Sequence, residues 1–382
     1  MMNDELFLTS IKVKKLLHLQ DFDIPLSAEE KKHLVITGRN GSGKTILLNA
    51  VLDFWEQFRM RYSLAFAPHE FSKVLESVGL FFNNTVMKEI HERDFIIAFY
   101  EAERQVKMQE PISPVKPDLS PVSLKGKKTG QFLNFLVDYK IQEALARNEK
   151  QEEDANKIAD WFHSFTGLLK EIFEDDSLTL IFNYRDYSFR INSQGKEFKF
   201  TQLAAGYSAV LEIVTDLILK MQTPESLTRA YDKQGIVLID EIETHLHLKL
   251  QRLILPILTR IFPNIQFIVT THSPFVLNSL PNIVAFDLER RVPIKDLTAY
   301  SYESLAEGYF GVKTDSSDIQ LRLSRLNDLI DKKELTVSEE IEMKELIDDF
   351  DKIPEAVAPS IKAAYYQLKL KYNKKEAGND PG

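Results

Sequence analysis

Residues 34–45 of this 382-residue chain read LVITGRNGSGKT, an apolar run that breaks into a glycine-rich loop closing on Gly43-Lys44-Thr45. Gly38, Gly43, Lys44 and Thr45 fill the pattern G-x-x-x-x-G-K-[ST], and a helical ILLNAVLDFWEQF follows at 46–58. Strand, loop and helix in that order make a phosphate loop, the Walker A motif. Its glycines let backbone N–H groups turn inward around phosphates, and the new helix aims the positive end of its dipole at the same charge. Residues Gly38, Arg39, Asn40, Gly41, Ser42, Gly43, Lys44, Thr45 and Ile46 are therefore the expected nucleotide-binding segment. Lys44 is expected to reach the β and γ phosphates and to serve in catalysis, and the Thr45 hydroxyl to ligate Mg²⁺.

A phosphate loop needs an acidic strand end opposite it. Residues 235–241, GIVLIDE, supply a buried apolar strand that ends in two carboxylates, as in Walker B. Nucleotide sites in parallel sheets lie at such C-terminal strand ends. Asp240 is the expected second metal ligand, and Glu241 the group that orients or deprotonates the attacking water. A buried carboxylate pair without a cation would be costly, which weighs against purely structural acids. The following IETHLHLKLQRLILPILTRIF, 242–262, shows helical periodicity with Pro256 as a kink. His245 and His247, two apart, would point to different helix faces, so a dimer-interface loop is favoured over a metal site.

The remaining segments set the organisation. LFLTSIKVKK and LQDFDIPL read as a hairpin feeding the phosphate-loop strand, residues 59–93 as mixed and helical, and DFIIAFYEAE at 94–103 as a strand. Four prolines in 110–130 predict an exposed mobile loop, and its KGKK at 125–128 a solvated charge run. Residues 131–174 read as two helices of an inserted lobe with Trp161, Phe162 and Phe165 in its core, and 177–200 as a β-meander. Beyond 281 an IVAFDLE strand leads into a charged helical tail, where Thr336 with Glu339 offers a capping box. The boundaries expected are 1–109 and 177–292 for the two parts of the core, 110–176 for loop and lobe, and 293–382 for the helical extension.

With no cysteine, neither disulfides nor thiolate metal sites can contribute. Residues 1–10 lack the look of a signal peptide and no apolar run reaches membrane-spanning length, so a cytoplasmic protein is expected. A formal net charge of −9 disfavours a general nucleic-acid coat protein.

Two further strings complete a pattern. TQLAAGYSAVLEIVTDLIL, 201–219, is a helix opening at Gly206, and NIQFIVTTHSPFVLNSL, 264–280, is a strand ending in Thr270, Thr271 and His272. Together GRNGSGKT, LAAGYSA, VLIDEIETHLH and FIVTTHSP resemble the compact ABC-type ATPases related to the RecF, chromosome-maintenance and OLD-nuclease groups. They are most similar to ATPase subunits of bacterial anti-phage defence modules such as Septu and the retron-associated ATPases, over about residues 5–280.

The resemblance implies an α/β, ABC-type P-loop ATPase head with an antiparallel β-subdomain, the inserted helical lobe and the C-terminal helical extension. It implies ATP and Mg²⁺, and two heads sandwiching two ATP molecules in a homodimer or higher oligomer. His272 matches the histidine that contacts the γ-phosphate. Gly206 matches the LSGGQ signature, whose helix N-terminus contacts a γ-phosphate held by a second subunit; Leu203 also matches, while Ala204 replaces its serine and Tyr207 its glutamine. The lost serine hydroxyl removes a charge-assisted hydrogen bond worth about 1.5–3 kcal/mol gross, for which Ser208, near the helix start, is the candidate compensation, and the helix dipole remains. A plain helix N-terminus remains the other reading. In such heads the loop of the hairpin before the phosphate-loop strand often flanks adenine, and Leu17 and His18 serve either that end or merely an edge; no glutamine is singled out as the Q-loop residue.

The tail shows no Toprim arrangement, so a nuclease would come from a partner, such as one of the HNH type; the helices either dock that effector or close the core or an oligomer. An ATPase gating an effector in phage defence is the leading expectation, with nucleic acid engaged through the complex and no membrane. A RecF-like DNA clamp and a low-turnover nucleotide-sensing scaffold are the alternatives.

Overall fold

The computed structural model describes residues 5–63, 77–83, 95–104, 108–120, 122–222, 231–294, 297, 304–305, 317–332, 334–354 and 359–377. They divide into two compact units, residues 1–302 and 303–382.

The first unit opens with the antiparallel hairpin β1 (Leu8–Leu16) and β2 (Leu19–Pro25), then the fully buried β3 (His33–Thr37) and helix α1 (Lys44–Ser63). Leu47, Leu48, Val51, Leu52, Phe54, Trp55 and Phe58 are buried at helical spacing and form the centre of the core with the hairpin. The stretch expected to be helical contains a strand instead, β4 (Val78–Phe82), which pairs antiparallel with β1. Five residues show too little periodicity to announce a strand, and its partner lies about seventy residues earlier in the chain. Residues 64–76 and 84–93 of that expectation lie outside the described residues.

β5 (Ile96–Tyr100) enters the central sheet. The lobe follows as α2 (Phe132–Asn148) and α3 (Glu152–Phe173). Ile158, Trp161, Phe162, Phe165, Leu168, Leu169 and Ile172 are buried along one stripe of α3, which starts on three acidic residues and ends at a left-handed Glu174. Trp161 lies parallel to Phe165 and edge-on to Tyr139 and Phe135. Next come the meander β6 (Thr179–Asn183), β7 (Ser188–Ser193) and β8 (Lys196–Lys199), and helix α4 (Ala205–Met221). The unit closes with β9 (Gly235–Ile239), α5 (Leu248–Ile261), β10 (Ile265–Thr270), α6 (Pro274–Leu277), β11 (Ile283–Asp287) and β12 (Val292–Ile294).

The central sheet runs β12-β11-β3-β10-β9-β5, parallel except for β12 at its edge. A second sheet, β2-β1-β4, is stapled to it by Gln266 on β10. That fully buried amide accepts from Leu8 N–H at 2.7 Å and donates to the carbonyls of Leu8 and Lys32. Among the described residues no helix is long and apolar enough to cross a membrane.

The KGKK run is solvated only in part: Lys125 and Lys127 are exposed, as expected, but Lys128 is buried. Lys127 pairs with Glu212 of α4, and the Lys128 N–H donates to Asp216, both acids being buried. Asp216 also accepts from Tyr100 Oη at 2.7 Å and pairs with Lys220. Lys127 and Lys128 thus satisfy acids that α4 buries, a role that charge alone does not reveal.

The second unit contains α7 (Ser317–Asp331), α8 (Val337–Lys352) and α9 (Pro359–Ala377). Leu326, Leu329, Ile330, Met343, Leu346, Phe350, Ile361 and Tyr365 form its own core. The Thr336–Glu339 capping box opens α8.

His33 marks where β3 enters the sheet. Its Nδ1 accepts the Phe267 N–H at 3.1 Å, and burial, helped by the Lys31 charge, lowers its pKa from 6.5 to about 4. The unfolded chain then holds the extra proton between those values, so this site's stability is whole above pH 6.5 and is lost as pH falls through about 4. The loss approaches about 3 kcal/mol. His33→Asn keeps an acceptor that does not titrate, and its urea midpoint is expected to fall less than wild type's over that range; equal falls would remove His33 from the account.

Candidate functional site

β3 lies beside β10 and β10 beside β9, all parallel, so the phosphate loop, Asp240 and Thr271 leave the sheet at one edge. That shared edge, rather than any single loop, makes the site.

The loop bends through left-handed glycines, Gly38 (φ 141°), Gly41 (φ 81°) and Gly43 (φ 100°). At Gly38 a Cβ would stand 2.8 Å from Ser42 Oγ, and at Gly43 3.0 Å from Leu19 and 3.1 Å from His18. His18 also bonds the Ser42 carbonyl through Nε2 at 3.1 Å, so the hairpin turn presses directly on the loop. Arg39, Asn40 and Gly41 are exposed along its rim, Arg39 facing Glu289 at 3.6 Å, while Ile46 is half-buried in the first turn of α1. Lys44, buried at the base, donates to the carbonyls of Gly38 at 2.9 Å and Arg39 at 3.2 Å. Burial lowers its pKa, and Glu241, Glu243 and Asp240 oppose that shift.

The acidic strand end meets the loop directly. Thr45 Oγ1 donates to Asp240 Oδ2 at 2.8 Å across 195 residues of sequence. The other Asp240 oxygen accepts from Thr270 Oγ1 at 2.6 Å, and that hydroxyl in turn accepts the Glu241 N–H at 2.7 Å. A hydroxyl and a carboxylate side by side, open to phosphate and water oxygens, suit Mg²⁺, which takes few protein ligands. Thr45 and Asp240 are the residues that would hold it.

Glu243 ties the neighbouring strand end into the same site. It accepts from Thr271 Oγ1 at 2.7 Å and from the His272 N–H. Burial, reinforced by Lys44, lowers the His272 pKa and so favours the neutral imidazole.

The helix expected from residue 242 starts only at Leu248. Glu241 (φ 42°) and His245 (φ 70°) are left-handed, which a helix excludes and which costs about 1–3 kcal/mol each. His247 instead caps α5, its Nδ1 accepting the Leu250 N–H at 3.4 Å. Gly206 and Ser208 open α4 against this turn. A Cβ on Gly206 would come within 2.9 Å of the His245 carbonyl, and the Ser208 N–H donates to Ala204 O at 3.0 Å. Tyr207 stacks on Phe173 of the lobe with centroids 4.3 Å apart, fastening the start of α4 to α3.

Sequence reasoning gave no role to Glu243 or Arg104. Arg104, four residues past β5 and 1% exposed, donates to the carbonyls of Asp240, Glu241 and Ile242 at 3.0 Å each and of Thr244 at 3.3 Å. Directly after Glu101 and Glu103 it reads as ordinary surface charge; only the pairing of β5 with β9 puts it beneath the turn that follows β9.

Fold and site together define an ABC-type P-loop ATPase head. Residues 62–278 match the family described as "AAA domain, putative AbiEii toxin, Type IV TA system", and the chain belongs to that family. The match begins beyond the phosphate loop, whose assignment rests on its own geometry. Among curated proteins the chain is 25% identical over 297 residues to the Septu protein PtuA of Bacillus mycoides (strain KBAB4), covering 72% of this chain and 39% of the relative. It is 46% identical over 81 residues to the Retron Ec83 probable ATPase of Escherichia coli, covering 21% and 15%. The chain thus spans about two fifths, or less, of the length of these relatives. A solved SMC head bound to the C-winged helix domain of ScpA aligns over 77% of this chain and all of its own, at 13% identity and a TM-score of 0.42.

Gly206→Ala, which forces the His245 carbonyl to shift, is expected to destabilise the first unit by about 1–3 kcal/mol in denaturant unfolding. Unchanged stability would show that this contact gives way freely.

Proposed function

We propose that the chain is the ATP-binding and ATP-hydrolysing subunit of a cytoplasmic anti-phage defence complex, gating a separate effector through ATP-dependent pairing of two heads. The observation that carries the catalytic part is the Thr45–Asp240 hydrogen bond, which joins the two Walker motifs. The defence role is supported by the similarity to Septu and retron proteins.

The chemistry follows from placement. Loop amides and Lys44 bind the triphosphate, with Lys44 exchanging its two carbonyl partners for phosphate oxygens. A divalent cation at Thr45 and Asp240 supplies neutralisation of phosphate charge. Glu241, held at the strand end by Thr270, orients the attacking water and takes its proton. His272, kept in place by Glu243, faces the γ-phosphate as a hydrogen-bonding group. Gly206 and Ser208, at the N-terminus of α4, meet the nucleotide of a second head. Because Gly206 also rests on the turn carrying Glu241, that meeting is transmitted to the catalytic carboxylate.

The effector is a partner protein, such as an HNH-type nuclease, and the second unit of the chain is the docking element. The isolated chain is expected to bind DNA weakly, with nucleic acid engaged through the complex.

Glu241→Gln is expected to slow ATP turnover about 10²–10⁴-fold while retaining ATP binding, and to elute as a dimer with ATP. A wild type without turnover, indistinguishable from this variant, would make the protein a nucleotide-sensing scaffold. Purification from the native operon is expected to recover an effector with the chain; recovery of the chain alone would defeat the gating part.

A further inference from the structure

The turn after β9 is held from beneath by a group that the Walker motifs do not include. Its backbone leaves the common conformations at Glu241 and again at His245, so something besides local preference must fix it. Four of its carbonyls, those of residues 240, 241, 242 and 244, converge on the guanidinium of Arg104. Arg104 is buried and also donates to the Glu101 carbonyl at 3.2 Å, which anchors it to its own segment. A planar guanidinium carries five N–H donors in fixed directions and can span several carbonyls, whereas a lysine ammonium is a compact point charge.

The segment that supplies this clamp also reaches the other side of the site. Tyr100 at its start accepts the Asp240 N–H at 2.8 Å, and its side chain meets Asp216 of α4. Farther along, Glu110 accepts from Thr201 Oγ1 at 3.2 Å and lies 3.7 Å from Lys199, just before α4 begins. One stretch of chain thus touches both the catalytic turn and the helix whose start bears Gly206.

We infer that Arg104 is a positioning residue for ATP hydrolysis: it fixes the backbone of residues 240–244 so that Glu241 is aimed at the phosphate site. This rests on the ATPase reading above. Arg104 touches neither the phosphate loop nor Lys44 in its hydrogen bonding, so its loss acts on the chemical step and spares nucleotide binding.

The test compares steady-state ATP turnover of wild type, Arg104→Lys and Arg104→Met, each with its thermal unfolding midpoint. Arg104→Lys keeps the buried charge and the aliphatic stem, and carries the test where Arg104→Met does not fold. Folded Arg104→Lys is expected to lose about tenfold or more in kcat, with KM for ATP within about twofold of wild type, as for a misaimed catalytic group. In single-turnover measurements, Arg104→Lys in the Glu241→Gln background is expected to add less than about twofold, because the clamp acts through that carboxylate. A kcat within twofold of wild type in folded Arg104→Lys, a loss confined to KM, or losses that multiply in the double variant would each overturn the inference. An inactive wild type would overturn the ATPase reading and this inference with it, a different outcome from an active wild type that ignores Arg104.

Discussion

A single hydrogen bond from Thr45 Oγ1 to Asp240 Oδ2 joins the first turn of α1 to the end of β9. It forms only because β10 lies between β3 and β9 in one parallel sheet, so that both strands end at the same edge. The sheet's buried residues keep that edge fixed: every residue of β3, β9 and β10 is buried. Around this bond the acids are shared out among separate partners. Asp240 faces Thr45 and Thr270, Glu241 meets Thr244, and Glu243 turns to Thr271 and His272. Placing three carboxylates so close is sustained by the charges of Lys44 and Arg104, which act on all three, and by the hydroxyls.

The turn from 240 to 247 accepts backbone cost at two residues, Glu241 and His245. Two left-handed non-glycine residues would relax in an unsupported loop, and here they are surrounded by fixed contacts. Arg104 holds the carbonyls, Glu243 joins the turn to the end of β10, and Gly206 packs against the His245 carbonyl. Strain held this way aims side chains that an ordinary helix start would direct elsewhere. The proposed catalysis therefore depends on groups outside the phosphate loop as much as on the loop itself.

Helix α4 unites lobe and core. Its first turn meets α3 through Tyr207 and Phe173, and its middle buries Glu212 and Asp216 against Tyr100, Lys127, Lys128 and Lys220. Buried acids without those partners would be strongly destabilising. Lys127 and Lys128 of the basic run consequently serve the interior of the first unit.

How much of this could be read from the chain depends on the range of the interactions. Local chemistry determined the phosphate loop, the two acids of GIVLIDE, the meander, the lobe helices and the Thr336 capping box, because each is fixed by neighbours within a few residues. Only the tertiary structure decided that residues 78–82 form a strand, that residues 242–247 stay out of a helix, and that KGKK faces buried acids. It also decided which groups Arg104 and Glu243 bond. Each of those outcomes is set by a partner distant in sequence or by a backbone conformation imposed from outside, and neither leaves a mark in composition or periodicity.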